Sequence, residues 1–441
     1  MQSTPHVIVV GGGLAGLVAS RHLAGAGLEV SLLERNDRVG GRVRTIERDG
    51  FRFDRGFQVL FTGYPAVERE LDLEGLDLRR FAPGATIARP NHRSTVADPF
   101  RSPGTLPATV LNPDLSIGDK LRVAKLRRTL RGIDPGEIFS GDSDTADDES
   151  IAAYLRNRGF SDRFLENFAA PFYGGITLDR SLSTSSQVFE YTFRTLADGE
   201  TVVPATGMEA IPAQLADRVA DEGGTIRTGV TADAVTAGNS DGESDGDVTV
   251  SSDDGTLEAD AVVVATDPPT ARDLTDIEAI PTEARACVTQ YYALSAGMDL
   301  ETGKRLLLNA GGENGEREGP NHVVPHSEVA PEYAPDDRTL ISATYLGERE
   351  ETDEELADRT LRALESWYPE RAFDGFEPLH TARVSFAQFD QPPGFHEGLP
   401  NPRDPDGSVY LAGDYTRWSS IQGAMESGRR AASAVVEDLS R

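Results

Sequence analysis

Gly11-Gly12-Gly13-Leu14-Ala15-Gly16 follows directly on His6–Val10, a short apolar run rich in β-branched residues. The order strand, then glycines at Gly11, Gly13 and Gly16, then helix is what a bound pyrophosphate needs. Gly11 allows the tight turn, Gly13 lets phosphate touch backbone, and Gly16 lets helix and strand pack closely. The helix start, with Leu14 and Ala15, offers unbonded N–H groups and a positive dipole end. A second strand, Glu29–Leu33, leads to Glu34 and Arg35. The Glu34 carboxylate can accept hydrogen bonds from both ribose hydroxyls, and it would repel a 2'-phosphate. These residues are assigned to one dinucleotide site.

The elements that must position them are legible around them. The helix closes near Gly25 and Gly27, suitable C-cap residues. A short segment, Gly224–Arg227, with Val230 beyond it, reads as another strand. Ala259–Thr266, which includes Ala265, is a buried strand ending in Asp267-Pro268-Pro269. Val202–Met208 precedes an amphipathic helix at Glu209–Ala220. At the far end Val409–Leu411 leads into Gly413-Asp414-Tyr415-Thr416, and Ser419–Gly428 opens a terminal helix. Gly238–Asp247 reads as a hydrophilic hairpin tip and Asp142–Glu149 as a solvated acidic loop.

Two further segments decide which dinucleotide. Arg38-Val39-Gly40-Gly41-Arg42 comes shortly after Glu34, and Phe53-Asp54-Arg55-Gly56-Phe57-Gln58 follows. Here the chain resembles the superfamily of FAD-dependent amine oxidases, protoporphyrinogen oxidases and phytoene desaturases. The resemblance implies FAD, with Gly40, Gly41 and Arg42 along the pyrophosphate and flavin. It puts Gly56, Phe57 and Gln58 beside the ring, Val230 at the adenine and Asp414 on the ribityl chain. The helix start at Ile421, Gln422, Gly423 and Ala424 then aims N–H groups at the reducible end of the flavin. Gly-Asp-Tyr-Thr followed by a Gly-Ala-x-x-Ser-Gly helix is most similar to plant-type phytoene desaturases, which usually have Glu at the position of Gln422. Cys287 lies far from the Gly-Asp segment in sequence, so FAD is expected without a covalent bond.

The implied fold class is α/β: a glutathione-reductase-like FAD-binding Rossmann domain with an interleaved α+β substrate domain. The expected division gives 1–75, 200–285 and 375–441 to the FAD domain, and 76–199 and 286–374 to the substrate domain.

What the flavin would act on is less legible. No second G-x-G-x-x-G occurs, so electrons should come to the flavin directly from a substrate. No catalytic residue is assigned. Pro171-Phe172-Tyr173-Gly174-Gly175 is the best candidate for a substrate wall, with Phe389 and Tyr415 as further candidates. Most of the other aromatic residues in the inserts are expected in the core. Amine oxidases often place a lysine near flavin N5. The corresponding stretch Ala286–Leu294 has none, and Lys304 is expected at a turn after Thr302-Gly303. Oxidation of an apolar carotenoid- or isoprenoid-like substrate therefore leads. Amine or protoporphyrinogen oxidation comes second, and a flavin-dependent mutase or non-catalytic flavoprotein is the alternative of another class. Ile117–Arg131 alternates Lys and Arg with Leu and Ala. It reads either as a solvated helix face or as peripheral contact with an anionic membrane, through Leu121, Leu126 and Leu130.

Composition bounds the rest. With 441 residues the chain is long enough for two or three domains. Acidic residues number 73 against 43 basic, a net charge of −30, and only Lys120, Lys125 and Lys304 are lysine. Such a balance suggests a cytoplasm of molar salt and makes nucleic acid an unsuitable partner. One cysteine excludes intrachain disulfides, and the seven histidines are scattered except for His322 and His326, so no metal is expected. The N-terminus lacks the marks of a signal peptide, and the expected location is cytoplasmic.

Overall fold

A computed structural model describes residues 4–97, 112–139, 148–237, 248–311 and 319–441. The hairpin tip Gly238–Asp247 and most of the acidic loop, 142–147, lie outside the described residues.

The run His6–Val10 has apolar residues on both sides because both faces of its sheet are covered. It is the middle strand of a five-stranded parallel sheet, in the order Thr225–Thr228, Glu29–Glu34, His6–Val10, Ala261–Val264, Val409–Leu411. Val7 and Val9 pack beneath the first helix, Leu14–Gly25, and the terminal helix, Ile421–Leu439. Ile8 and Val10 face a three-stranded antiparallel sheet that contributes Val248 and Val250. The two helices touch backbone to backbone: a methyl on Gly428 would lie 2.2 Å from the Ala15 carbonyl oxygen. From the middle strand the chain proceeds to one neighbour, Glu29–Glu34, and much later supplies the other, Ala261–Val264. Such a reversal opens a crevice at the carboxyl ends of the strands. Gly11–Gly16, Glu34, Ala265 and Gly413 all come at those ends.

The second large sheet has seven strands, in the order Glu377–Phe389, Ala284–Ser295, Arg338–Leu346, His322–Val324, Leu306–Asn309, Ala85–Arg89, His92–Val96. Glu377–Phe389, which the sequence reading puts in the cofactor portion, pairs instead along Ala284–Phe389 to Ala293–Glu377 in this second sheet. Helix Asp353–Trp367 starts with a capping box at Thr352 and Glu355 and buries Leu356, Leu364 and Trp367 against one face. The buried Thr360 on that helix shares hydrogen bonds of 2.8 Å with the hydroxyls of Tyr292 and Tyr345. A helical layer containing Ile117–Leu130, Ala170–Ile176 and Ser186–Asp198 stands beside the two sheets.

The basic segment is a helix, capped at Ser116 by a reciprocal pair with Asp119. Its apolar residues do not share one face. Leu126 and Leu130 are buried against Phe164 and Phe189, so they cannot insert into a membrane as expected. Ile117 and Leu121 are the large apolar residues that it exposes, at 72% and 67%. Among the described residues no helix is long and apolar enough to cross a membrane.

Candidate active site

A cavity of 1510 Å³ runs from the end of the parallel sheet to the helical layer. Small-molecule pockets commonly hold about 300–1,000 Å³, so this one has room for a large cofactor and a further ligand. The residues of its sheet end test whether FAD fits.

At Gly13 nothing lies within 4 Å of the place a methyl would occupy, and the residue opens on the cavity. Gly16 is different: a methyl there would lie 1.9 Å from the Gly11 carbonyl oxygen. Gly13 therefore leaves room for a phosphate, while Gly16 holds helix to strand. Glu34 is buried and lines the cavity. Its Oε2 accepts from the Gly12 amide at 2.8 Å and its Oε1 from the Asn36 amide at 2.9 Å. These bonds orient the carboxylate, and Oε2 keeps a lone pair for a ribose hydroxyl. Arg35 also reaches the cavity and pairs with Asp267 at 3.1 Å. Val230, expected at the adenine, lines the cavity with its amide donating to the Glu34 carbonyl at 3.0 Å, which leaves its carbonyl and side chain for a ligand.

Further in, Arg42 pairs with Asp414, Nη2 to Oδ1 at 2.7 Å, and donates to the Ala387 carbonyl at 3.0 Å. Burial works against the Arg42 charge, and Asp414 more than offsets it, so its pKa is raised. Asp414 Oδ2 accepts from Ser419 Oγ at 2.8 Å. With both oxygens oriented, Asp414 presents fixed lone pairs to a hydroxylated chain. Gln58 Nε2 donates to the Arg42 carbonyl at 3.1 Å, and its buried Oε1 has no hydrogen-bond partner among the described residues. Gly40, Gly41, Gly56, Phe57, Ala265, Gly413 and Ala424 line the same wall. At the terminal helix the Gly423 amide is used by its cap, Ser420 Oγ, at 2.8 Å. Gln422 turns its side chain away to accept from the Ala66 amide at 2.8 Å. Within the expected helix start Ile421–Ala424, the first-turn amides of Ile421 and Gln422 are thus what this helix end can offer a ligand. The donors, the acceptors and the glycine cradle fit FAD.

The sequence motif named Asp54 without giving it a task. It is a junction: its Oδ1 accepts from Thr45 Oγ1 at 2.6 Å and the Met208 amide at 2.9 Å, and its Oδ2 from Tyr333 OH at 3.0 Å. Tyr291 OH donates to its carbonyl at 2.9 Å. Burial pushes the carboxyl up to about 6, because three hydrogen bonds only partly offset the loss of water. Asp54 ties the Gly56–Gln58 wall to the second large sheet through Tyr291 and to the segments of Thr45, Met208 and Tyr333. A buried acid between two phenylalanines was the available signal.

Of the candidate substrate residues, Phe172 and Tyr173 line the cavity, whereas Phe389 and Tyr415 do not. Both belong to the core beneath the parallel sheet, and the Tyr415 hydroxyl donates to the Val264 and Ala412 carbonyls, each at 3.1 Å. The Tyr415 ring lies so close to Gly413 that a methyl there would sit 2.1 Å from it, which explains the glycine better than any ligand does. Aromatic residues expected in the core line the cavity as well, Phe168, Phe189 and Phe193 among them, and Trp418 joins them from the cofactor side. Phe168 stacks on Phe172 at 5.2 Å, and Tyr173 meets Phe189 edge to face at 4.6 Å. The long strand Ala284–Ser295 presents Cys287 to the cavity, with burial pushing its thiol up to about 11. Lys304 does not line the cavity. Lys120 does, from the basic helix, with Nζ bonded to the Asn112 carbonyl at 3.1 Å.

Fold and site together define a flavoprotein oxidoreductase with a Rossmann-type sheet, and the comparisons with known proteins agree. The family model described as flavin containing amine oxidoreductase matches residues 14–436, and the chain belongs to that family. A carotenoid 3,4-desaturase of Haloarcula japonica is 60% identical over 50 residues, 11% of this chain and 10% of that protein. A coproporphyrinogen III oxidase of Bacillus subtilis is 31% identical over 180 residues, 39% of this chain and 36% of that protein. Both matches cover well under two thirds of the relatives' length. Among solved structures, a cyclohexylamine oxidase of Brevibacterium oxydans is similar with a TM-score of 0.69, 19% identity and coverage of 99% of this chain and 100% of that one. An oxidoreductase of Methanosarcina mazei gives 0.71, 20%, 98% and 100%. At these identities the structural likeness shows the fold alone.

Replacing Glu34 by Ala is expected to weaken FAD by about 1–3 kcal/mol, the scale of a charge-assisted hydrogen bond. Titration of the apoprotein with FAD, followed by quenching of flavin fluorescence, measures it. Unchanged affinity would put the ribose elsewhere.

Proposed function

We propose that the protein holds FAD without a covalent bond and oxidises an apolar, carotenoid- or isoprenoid-like substrate. The observation that carries this reading is the lining beyond the flavin wall. It is built mainly from aromatic and aliphatic side chains of the helical layer, and it extends to Leu121, which is both a lining residue and 67% exposed. The cavity therefore meets the surface at an exposed leucine. FAD supplies the hydride acceptor. The chain's residues orient and enclose. Phe168, Phe172 and Tyr173 exclude water from an extended hydrocarbon, Asp54 fixes the wall at Gly56–Gln58, and the amides of Ile421 and Gln422 stabilise negative charge at the helix start.

Amine oxidation is less well served, since Cys287 stands on the strand where a lysine was sought. A tetrapyrrole is favoured by the match over 180 residues to the coproporphyrinogen III oxidase. Of the cations in the lining, Arg80 is offset by Glu200 at 2.6 Å, whereas Arg127 and Lys120 donate to the neutral Ala197 and Asn112 carbonyls and keep their charge. A cytoplasmic location in high salt, with membrane contact through the basic helix, completes the reading. In it Ile117 and Leu121 enter the surface while Lys125 and Arg128 stay exposed beside them.

The test is anaerobic. Holoenzyme mixed with a phytoene-like polyene in vesicles should lose its long-wavelength flavin absorbance, whereas primary amines and coproporphyrinogen should leave it. Bleaching by either of those and by no polyene reverses the ranking. Leu121→Asp should reduce flotation with anionic vesicles without changing the flavin spectrum, and unchanged flotation removes the helix from the membrane reading.

A further inference from the structure

Arg417 carries a charge that no acid of the fold answers. It stands between Thr416 and Trp418, at the turn that joins the Gly-Asp segment to the terminal helix, and does not line the cavity. The residue is half-buried, and its side chain makes no hydrogen bond or ion pair among the described residues. Of its three nitrogens only Nε is enclosed, so both Nη groups stay open to solvent.

The carboxylate that acts on it, Glu426, is already filled. Glu426 Oε1 accepts from Arg429 Nη2 at 2.6 Å and from Arg430 Nε at 3.1 Å. Its Oε2 accepts from Arg69 Nη2 at 2.7 Å and from Arg429 Nε at 3.1 Å. A carboxylate oxygen offers about two lone pairs, so none is left for Arg417. Arg69 also reaches Glu70 at 2.8 Å, and Glu70 takes Arg21 of the first helix at 2.7 Å. Five guanidinium groups thus share two carboxylates, in a chain whose net charge is −30. Arg430 spends only Nε on Glu426, which leaves its Nη groups unspent among the described residues. Burial, and after it the Arg430 charge, pull the Arg417 pKa down to about 10, so it stays charged at neutral pH. Two cations held together repel each other until an anion joins them. Packing alone would be better served by an uncharged side chain, which leaves no buried donor unbonded.

We infer that Arg417 and Arg430 form a binding site for a phosphate group, outside the flavin cavity. Guanidinium forks match phosphate oxygens in pairs, and a tetrahedral anion has oxygens for a fork on each side. The phosphate is free or belongs to the headgroup of an anionic lipid. The patch continues toward the basic helix, which brings the second source within reach. Tyr191 lies in the field of both Arg417 and Arg194, and Arg194 shares Asp198 with Arg131, the C-cap of Ile117–Leu130. Only the lipid source rests on the membrane reading.

Holoenzyme, its FAD site filled, is titrated with inorganic phosphate at constant ionic strength in KCl, by calorimetry and tryptophan fluorescence. Trp418 adjoins the site, while the other tryptophan, Trp367, is buried in the core of the second large sheet. Wild type should bind, and Arg417→Gln should weaken binding about 10- to 100-fold, the scale of a charge-assisted hydrogen bond. Arg417→Lys keeps the charge without the fork and should retain part of the affinity. A second arm floats the same proteins with phosphatidylcholine vesicles, with and without phosphatidylglycerol. Flotation on the anionic vesicles that Arg417→Gln abolishes, without binding of inorganic phosphate, assigns the site to a headgroup. Wild type and Arg417→Gln that behave alike in both arms overturn the inference. If Leu121→Asp still loses flotation in that case, the membrane reading stands without it. Flavin content and Tm confirm folding of each variant, and Arg430→Gln, at an exposed position, carries the same comparison should Arg417→Gln not fold.

Discussion

Gly13→Asp should yield a folded protein that no longer takes up FAD, with affinity reduced at least about 1,000-fold. That figure combines displacement of the pyrophosphate with repulsion between two anions at short range in a partly buried site. The separation of folding from binding follows from geometry. Nothing lies within 4 Å of the position a Gly13 methyl would take, so the apoprotein accommodates the side chain, which projects into the cavity. Gly16→Val is the contrasting control. Its Cβ would sit 1.9 Å from the Gly11 carbonyl oxygen, and that variant should lose the fold, not only the cofactor. Circular dichroism, with flavin measured in the supernatant after denaturation, separates the two outcomes. The same denaturation should free all the flavin of wild type, as a non-covalent cofactor requires. A Gly13→Asp protein that still purifies yellow would remove the pyrophosphate from this turn.

The second large effect concerns salt. Raising KCl from about 0.1 M to about 3 M should lift Tm by more than about 10 °C, through screening of repulsion among unpaired acids. The chain carries a net charge of −30. Surface ion pairs such as Arg403 with Glu437 and Asp438 oppose this, since salt weakens them too. Each exposed pair contributes only about 0–1 kcal/mol, so the unbalanced acids dominate. Exposed Glu and Asp on helix Asp353–Trp367 supply a local check. Glu354→Lys and Asp358→Lys together should flatten the salt dependence of Tm. A melting temperature that does not move with KCl in wild type contradicts the high-salt reading.

The nucleotide end of the site was written in the sequence because its physics is local. A glycine turn, a helix start and an acid closing the next strand need only neighbours within the first 40 or so residues, and Gly11, Gly13, Gly16 and Glu34 lie where their order implies. The Gly-Asp segment and the terminal helix were legible as well, although it took the sheet to bring Val409–Leu411 beside Ala261–Val264. Side-chain direction is another matter. Tyr415 and Phe389 were natural substrate candidates by type, yet the sheet turns both into its own core. Leu126 and Leu130 look available for a membrane in a basic amphipathic stretch, yet helices far along the chain bury them. The task of Asp54 depends on Met208, Tyr291 and Tyr333. Local sequence thus determined which cofactor class can bind and where the chain turns around it. Only the packing of distant segments decided which rings face the cavity and what the buried Asp54 joins, because those are properties of contacts between elements, and no single segment encodes them.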